Sequence, residues 1–294
     1  MTNRNLVDDL SIIISASPSP THPSTHLILE TLGSLKFLEL PKGVNIILAH
    51  DGIKHHSLEL LDNYNQYLTQ LKNILYGQEV VKLLVNKKWT HLNGVLHEAI
   101  DQTFTKYVLV LQHDLPFIRH IDLAKLIELM ETNSEIRHVR FSKSQEPYFW
   151  DVDPRYRKKF FLEHYFAKDG LELVLTKTLG WTDNNYLCTK EYFEKVVFPI
   201  TRNEKIFPES AMNLASSRFT KNLFGNWRYG GIDDGPYIEH TNGRGESESS
   251  NIECFYIRYW KLNVTRVYVF LKRIKYRLRA AHLVFKSLKG SAIE

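Results

Sequence analysis

Three short polar segments of the chain carry side chains that could bind a ligand, and each directly follows a run of apolar residues. They are Ser15-Ala16-Ser17, His50-Asp51-Gly52 and Gln112-His113-Asp114. Carboxylate oxygens are ligands that Mg²⁺ and Mn²⁺ prefer, and Mn²⁺ also accepts an imidazole nitrogen. Asp114 is therefore the first candidate metal ligand, and His240, in the late segment YIEHTNGRG, is the second. A turn-forming role for Asp114 also stays open, because Asp is common in turns after strands.

The apolar runs before these segments predict strands that alternate with helices. The predicted strands are LSIIIS (10–15), VNIILA (44–49), VVKLLV (80–85) and YVLVL (107–111). Helices are predicted after Ser24 or Thr25, after Gly52 and over 91–104, the second with Leu61, Tyr64, Leu68, Leu71 and Leu75 on one side. This order predicts an α/β fold, a mostly parallel sheet flanked by helices. Ligands of such sheets bind outside the carboxyl ends of the strands, where the polar segments would lie.

The second half of the chain is less regular. Strands with connecting turns are predicted within 138–142 and 171–189, and helices over 190–198 and 209–222. The Gly-rich polar segment 229–251 is predicted to be a long loop beside the binding edge. We therefore expect one α/β domain over residues 1–250 and a basic, amphipathic helical segment over 251–294.

The positive charge of the chain is concentrated in its tail. The 294 residues carry a formal net charge of +5, but residues 251–294 contain ten Lys or Arg and two Glu, so residues 1–250 carry about −3. This distribution disfavours a nucleic-acid function for the whole chain. Two cysteines are too few for a disulfide framework. Acidic residues near the N-terminus and the lack of an apolar run of about 20 residues predict a cytoplasmic protein.

Three interpretations of the basic tail stay open. Leu271, Ile274, Leu278 and Val284 suggest an apolar side, surrounded by Lys and Arg. Such a helix suits the surface of an anionic membrane, which would make the protein peripheral. A helix packed on the α/β domain with its basic side in solvent explains the same pattern. Nucleic-acid binding is a third option, but the rest of the chain shows no basic patch that would enlarge such a binding surface.

Several common nucleotide-binding and nucleophile motifs are absent from the sequence. There is no GxGxxG, no GxxxxGK[ST] and no GxSxG segment, which argues against a dinucleotide oxidoreductase, a P-loop enzyme and an α/β-hydrolase. A parallel-sheet domain without a glycine-rich phosphate loop needs another way to neutralise phosphate. A divalent cation held by carboxylate and imidazole would do so.

The ordered set of segments resembles the GT-A glycosyltransferases, which use nucleotide-sugar donors. VLVLQHDLPF stands where that family carries an acidic DxD-type motif, and it is similar to the EHD variant of a bacterial and viral group. SIIISASPSPTHPST, IILAHDG and KKWTHLNGVLHEAIDQTFTKYVLVLQHD are similar to the same group, and NWRYGGIDDGPYIEHTNGRG resembles its closing loop. The resemblance spans about residues 10–245. Gln112 replaces the usual first carboxylate, so Asp114 is the one anionic ligand left there.

The resemblance implies a role for each candidate residue. Asp114 and His240 would bind Mn²⁺ or Mg²⁺. The nucleotide-sugar-binding residues would be Ser15, Ala16, Ser17, Asp51, Trp89, Asn93, Gln112, His113, Asp114 and Arg244. Glu209, at the start of a predicted helix, would be the general base, with Asp183 as the runner-up and Asp233 and Asp234 behind it. The helix dipole alone also favours Glu in a first turn.

The resemblance thus predicts transfer of a hexosyl or pentosyl group from a nucleoside diphosphate sugar to a glycan or lipid-linked acceptor, with inversion. The alternative is a non-catalytic domain that binds a nucleotide sugar or a glycan, which the substitution at Gln112 favours. A sugar nucleotidyltransferase is disfavoured, because ASPSPTHPST after the first strand contains no Gly, Lys or Arg.

Overall fold

The computed structural model describes residues 6–19, 21–54, 58–143, 162–168, 171–178, 180–216, 221–231, 234–241 and 263–290. Within these residues the chain forms a sheet of nine strands with helices on both faces. The strands are β1 (Leu10–Ala16), β2 (Asn45–His50), β3 (Val81–Val85), β4 (Tyr107–Gln112), β5 (His138–Arg140), β6 (Leu162–Lys168), β7 (Leu171–Lys177), β8 (Tyr186–Thr189) and β9 (Asn226–Tyr229). The predicted α/β class is confirmed.

One short helix precedes β1, and the others lie between the strands and after the last one. They are α1 (Leu6–Asp9), α2 (His26–Ser34), α3 (Leu58–Ile74), α4 (His91–Asp101), α5 (Leu123–Thr132), α6 (Lys190–Tyr192), α7 (Phe198–Thr201), α8 (Pro208–Ala215), α9 (Lys221–Phe224) and α10 (Asn263–Gly290). A 3₁₀ turn, Leu35–Leu38, follows α2, and a π-helical turn, Phe193–Val197, joins α6 to α7.

The first four strands form a parallel sheet in the order β3-β2-β1-β4. β1 is buried at every position, and its alternate side chains enter two different cores. Ile12 and Ile14 pack with α3 on one face, and Ile13 packs with α4 on the other. Because both faces are covered, the strand needs apolar side chains throughout, which explains its unbroken apolar run.

Helix α3 packs on the sheet through a narrower face than predicted. Tyr64 and Leu71 are buried, as predicted, but the other predicted leucines are only half-buried. Tyr67, which was not predicted, is buried as well, and its hydroxyl lies 2.8 Å from Nε2 of His50. The buried face is therefore centred on Tyr64, Tyr67 and Leu71, which follow the helical spacing i, i+3 and i+7. Tyr67 connects this face to His50 at the end of β2.

The second half of the sheet is mixed rather than parallel. β8 lies between β4 and β5 and is antiparallel to both, β9 is parallel to β5, and β7 and β6 follow in antiparallel pairs. The strands predicted within 138–142 and 171–189 are found as β5, β7 and β8. The resemblance assigns Asn226–Tyr229 to a closing loop, and this is wrong, because the four residues form the buried strand β9 with Trp227 fully enclosed.

The basic tail forms α10, which packs against α7 and α8. Tyr276 and Ala280 are buried in this contact. Glu204 accepts hydrogen bonds from the Tyr276 hydroxyl at 2.8 Å and from Arg279 at 2.6 Å, and Lys275 lies 2.8 Å away. Burial alone would raise the pKa of Glu204, but hydrogen bonds from Lys275, Arg279 and Tyr276 outweigh it and lower the pKa to about 2. An ionised Glu204 therefore holds α10 on the domain.

The predicted apolar side of the tail does not make this contact. Leu271, Ile274 and Leu278 lie on one side of α10, but that side is exposed, and Val284 lies away from it and is half-buried. Packing on the domain thus uses a different face of the helix. Among the described helices, none combines the length and the apolar character needed to cross a membrane.

Candidate active site

The carboxyl ends of β1, β2 and β4 bring the three polar segments side by side. In the parallel register Ser15 is opposite Gln112, and Ala16 is opposite His50. The Ser15 hydroxyl donates a hydrogen bond to the carbonyl oxygen of Leu111 at 3.0 Å, so this side chain ties β1 to β4. The predicted grouping of polar residues at one edge of the sheet follows directly from this register.

Asp51 organises the loop that follows β3. Its Oδ1 accepts hydrogen bonds from the backbone N–H groups of Gly52 and Thr90, both at 2.8 Å, and from the Thr90 hydroxyl at 3.0 Å. Its Oδ2 accepts from the N–H of His91 at 2.8 Å. His91 has a positive φ of 63°, a conformation that costs energy in a non-glycine residue and is held here by the buried carboxylate. A donor contact of Asp51 stays a prediction beside this positioning role.

Trp89 and Asn93 lie on and after this loop with very different exposure. The Trp89 ring is half-buried, and the ammonium groups of Lys54 and Lys205 lie 4.8 and 5.1 Å from its centroid. Asn93 is fully buried, and its Nδ2 donates to two carbonyl oxygens of the segment 202–204 at 2.6 and 2.9 Å. Trp89 can therefore meet a ligand, whereas a ligand contact of Asn93 would require its amide to leave these carbonyls.

Asp114 and His240 face each other across two segments that are far apart in the chain. His240 Nε2 lies 3.4 Å from Asp114 Oδ2. The two are aligned by an extended contact between the loop 114–118 and the segment 237–241, and we call the segment 237–241 the strap. An isolated antiparallel bridge lies within this contact, and the N–H of Thr241 donates to the Asp114 carbonyl at 3.0 Å. β4 ends at Gln112, and the loop that follows it, with Pro116 as a residue that cannot donate to a sheet, pairs with the strap.

The pair of side chains fits one part of a divalent-cation site. It offers a carboxylate oxygen and an imidazole nitrogen, a combination that suits Mn²⁺ better than Mg²⁺. The described residues contain no group of three or more His, Cys, Asp or Glu side chains placed to hold a metal. With two protein ligands, the remaining ligands would have to come from water and from phosphate oxygens, as is common for Mg²⁺ in phosphate-binding sites.

Gln112 has a structural reason to be an amide rather than a carboxylate. Its Nε2 donates to the carbonyl oxygen of Asp183 at 2.8 Å, a bond that a carboxylate could not make. Its backbone N–H donates to Oδ1 of Asn185 at 3.0 Å, and Asn185 Nδ2 donates to the Leu115 carbonyl at 2.6 Å. Gln112 and Asn185 thus seat the segment 182–185 on the end of β4.

His113 belongs to a group of histidines behind the strand ends. Burial lowers its pKa, although the neighbouring Asp114 opposes this change. His22 stacks on Tyr67 with ring centroids 4.1 Å apart, and burial lowers the pKa values of His22 and His50 to about 4. These two rings are therefore neutral at neutral pH and add no cationic charge to the edge.

Asp183 and Glu209, the two leading candidates for the general base, contact each other. Each carboxylate accepts a hydrogen bond from the other's backbone: Glu209 N–H lies 3.2 Å from both Asp183 oxygens, and Asp183 N–H lies 3.1 Å from Glu209 Oε2. Asp183 therefore caps α8, and Glu209 holds the loop before β8. Asp183 is buried, whereas Glu209 is half-exposed, and among the described residues its Oε1 has no hydrogen-bond partner.

We expect Asp183→Asn to stabilise the protein increasingly as pH rises. Burial, and then the charge of Glu209, raise the pKa of Asp183 well above its usual value. A carboxyl group that binds its proton more tightly in the folded state contributes stability below about pH 4 and loses it as pH rises. The variant should gain on the order of 1 kcal/mol over wild type between pH 4.5 and 8 in urea unfolding. Asp62→Asn, at an exposed position of α3, is the control, and a pH-independent difference would contradict the prediction.

The remaining predicted residues are placed as follows. Ser17 is exposed just after β1, and Ala16 is buried at its end. Asp234 accepts a hydrogen bond from the N–H of Gly231 at 2.8 Å, which indicates a turn-stabilising role. Arg244 and Asp233 lie outside the described residues.

Two asparagines of the site were not predicted. Asn185 is described above, and Asn213 of α8 exchanges two hydrogen bonds with the backbone of Trp181, at 2.8 and 2.9 Å. They position Asp183 and Glu209 rather than offering reactive groups. The signal available in the sequence was the dipeptide Asn184-Asn185, which reads equally well as a turn.

Comparisons with known proteins show distant likeness in fold. No protein-family model matches the chain, and no curated protein matches its sequence. Solved structures that resemble it include Staphylococcus aureus TarS and GalNAc-T7, both glycosyltransferases. TarS shows 12% identity and a TM-score of 0.43 over 87% of this chain, and GalNAc-T7, solved with UDP, GalNAc and Mn²⁺, shows 10% and 0.46 over 77%.

The matched structures are longer than this chain. The matched region covers 40% of the TarS chain and 44% of the GalNAc-T7 chain. TarS residues 1–349 in complex with UDP show 13% identity and a TM-score of 0.43, over 79% of this chain and 60% of that one. Fold likeness of this degree does not assign an activity, which has to be argued from the residues of the site.

Proposed function

We propose that the protein is a glycosyltransferase that moves a sugar from a nucleoside diphosphate sugar to a glycan or lipid-linked acceptor. The observation that carries this proposal is the contact between Asp114 and His240 at the carboxyl edge of a parallel sheet. A carboxylate and an imidazole brought together there suit a cation that accompanies a diphosphate. Gln112 places the pair of Asp183 and Glu209 beside the same strand end.

The roles of the protein groups follow from their exposure. Glu209 would remove the proton of the acceptor hydroxyl through its half-exposed carboxylate. The acceptor oxygen then forms a bond to the anomeric carbon from the side opposite the diphosphate, the bond from that carbon to the phosphate oxygen breaks, and the diphosphate leaves with the electron pair. This displacement inverts the anomeric centre. A cation held by Asp114 and His240 would supply positive charge to the leaving diphosphate.

Asp183 would position Glu209 rather than exchange protons with the substrate. It is buried, and its side-chain oxygens accept a hydrogen bond from the backbone N–H of Glu209. Trp89 would offer its ring face to the sugar or the base, with Lys54 and Lys205 adding positive charge at the same place.

A binding domain without catalysis is the second candidate function. It is favoured by Gln112, whose amide is engaged with the Asp183 carbonyl and leaves Asp114 as the single carboxylate of its segment. Such a domain would bind a nucleotide sugar or a glycan through the same edge and lack turnover.

The first test is a panel of UDP-, GDP- and dTDP-sugars, each incubated with the protein in Mn²⁺ or in EDTA. We expect release of nucleoside diphosphate from one donor, suppressed at least tenfold by EDTA. Release that survives EDTA would keep the transferase and reject the cation site. Thermal shifts without release would favour either the binding domain or an enzyme that needs its acceptor, and a glycan and lipid acceptor panel would separate these two. If no donor gives either release of nucleoside diphosphate or a thermal shift, the proposal is rejected.

A further inference from the structure

Helix α10 has two apolar faces, and they point in opposite directions. One face contains Tyr276 and Ala280 and is buried against the domain. With about 100° between successive residues of a helix, a second row of large apolar side chains falls on the far side. We call this row the exposed stripe: Phe270, Leu271, Ile274, Leu278 and Phe285. Leu278 and Phe285 are 65% and 66% exposed, so docking of the helix on the domain leaves them uncovered.

Basic side chains border the exposed stripe along both edges. On the same helical projection, Arg273 and Arg277 lie along one edge, and Lys275 and Lys286 along the other. The helix sequence from 263 to 290 contains no Asp or Glu. Lys275 pairs with Glu204 of the domain, as does Arg279, whereas Arg273, Arg277 and Lys286 have no acidic residue on their own helix to neutralise them.

We propose that the exposed stripe binds the surface of an anionic lipid bilayer, with α10 lying in the plane of the membrane. A row of leucine, isoleucine and phenylalanine flanked by Arg and Lys is the pattern of an interfacial helix, in which the apolar side chains enter the headgroup region and the cations attract anionic lipids. The α10 helix can do this while it stays docked, because its domain contact uses the opposite face.

Charge argues against the other two occupants of this surface. A second copy of the chain, paired through the same stripe, would bring the basic borders of two helices together, and neither helix carries an acid to offset them. A nucleic acid would use the cations but would leave two phenylalanines and three aliphatic side chains exposed beside it. An anionic bilayer accounts for both the apolar row and its borders.

The docking of α10 also connects a bound membrane to the candidate active site. Glu204 accepts hydrogen bonds from α10, and five residues later Glu209 opens α8. Lys205 and Phe207, between them, lie beside Trp89 and His91. The exposed stripe is on the opposite side of α10, so the width of this one helix, about 10 Å, would separate a bound bilayer from the segment that leads to Glu209. Binding to lipid does not itself depend on the proposed transferase activity.

Co-sedimentation of the full chain with lipid vesicles tests the proposal. We expect binding to vesicles of phosphatidylcholine with 30% phosphatidylglycerol and at least tenfold weaker binding to phosphatidylcholine alone. Leu271→Gln combined with Leu278→Gln should weaken binding to anionic vesicles roughly tenfold or more. Leu58→Gln combined with Phe104→Gln is the matched control, because it removes two large exposed apolar side chains elsewhere. Arg273→Gln combined with Arg277→Gln should cost about fivefold for each charge at low salt.

The outcomes separate a bilayer from a second copy of the chain. Circular dichroism checks that the variants keep their helix content, so that loss of binding is not loss of folding. Wild-type protein that does not bind anionic vesicles at low salt overturns the proposal. A concentration-dependent dimer that dissociates in Leu271→Gln with Leu278→Gln assigns the stripe to a second copy instead. If the control variant with changes at Leu58 and Phe104 loses as much vesicle binding as the variant with changes at Leu271 and Leu278, the binding is non-specific adhesion, and the proposal is overturned.

Discussion

Asp114→Asn is expected to weaken Mn²⁺-dependent binding of a nucleoside diphosphate by roughly 100-fold. The change keeps the size of the side chain and removes the charge that would hold the cation. The Asp114 carbonyl, which accepts from Thr241, is untouched, so the strap should keep its place. Isothermal titration with UDP, GDP and dTDP, each in Mn²⁺ and in EDTA, measures the effect. Wild-type affinity in the variant would remove Asp114 from the cation site.

The control for this variant is a second carboxylate and histidine pair elsewhere on the surface. Glu39 Oε1 lies 3.3 Å from His120 Nε2, and neither residue is among the candidate site residues. Glu39→Gln should therefore leave nucleotide binding unchanged. His240→Gln should reproduce the loss seen in Asp114→Asn, and the double variant should add little to either single change, because two ligands of one ion are not independent.

Glu209→Gln is expected to reduce sugar transfer by about 10² to 10⁴-fold and to leave donor affinity within about twofold of wild type. The amide keeps an oxygen that can accept from the Asp183 N–H, so the start of α8 should stay in place. It cannot accept the proton of an acceptor hydroxyl at neutral pH. The loss should therefore appear in kcat with the preferred acceptor, measured alongside donor binding by titration.

A matched control for Glu209→Gln is available on a neighbouring helix. Glu191 also lies in a first helical turn, in α6, but it is exposed and paired with Lys195. Glu191→Gln removes the same interaction with the helix dipole and should leave the rate unchanged. If both variants transfer sugar at the wild-type rate, the Glu209 side chain serves only to hold the loop before β8. If Glu209→Gln also loses donor binding, its effect is structural.

The parallel half of the fold could be predicted because burial on both faces leaves a direct mark in the sequence. Strands such as β1 and β4 have no solvent side, so their apolar runs are continuous and end abruptly in polar residues. The second half carries no such mark. β9 has the sequence NWRY, in which polar and aromatic residues are mixed, and what buries it is the long-range pairing with β5 and β7. Local pattern does not report pairing of that kind.

The site shows the same division between local and long-range information. The three polar segments lie together because parallel strands end at one edge, a consequence of topology alone. Asp114 and His240 were chosen for their ligand chemistry and for a family resemblance rather than for their spacing, and their cation role stays a prediction. Asn185 and Asn213 were not predicted, because their importance depends on which backbone groups face them after folding. Turn residues and site-positioning residues look alike in a sequence.

The strap also sets an order of events during synthesis. The loop after β4 leaves the ribosome about 120 residues before residues 237–241 do. At typical rates of translation that gap amounts to roughly 6 to 24 s. β1 to β4 can pair within that time, but Asp114 must wait for its partner. The edge of the newly made sheet therefore stays accessible to chaperones, or to ligands that bind before folding is complete, until the last part of the domain is synthesised.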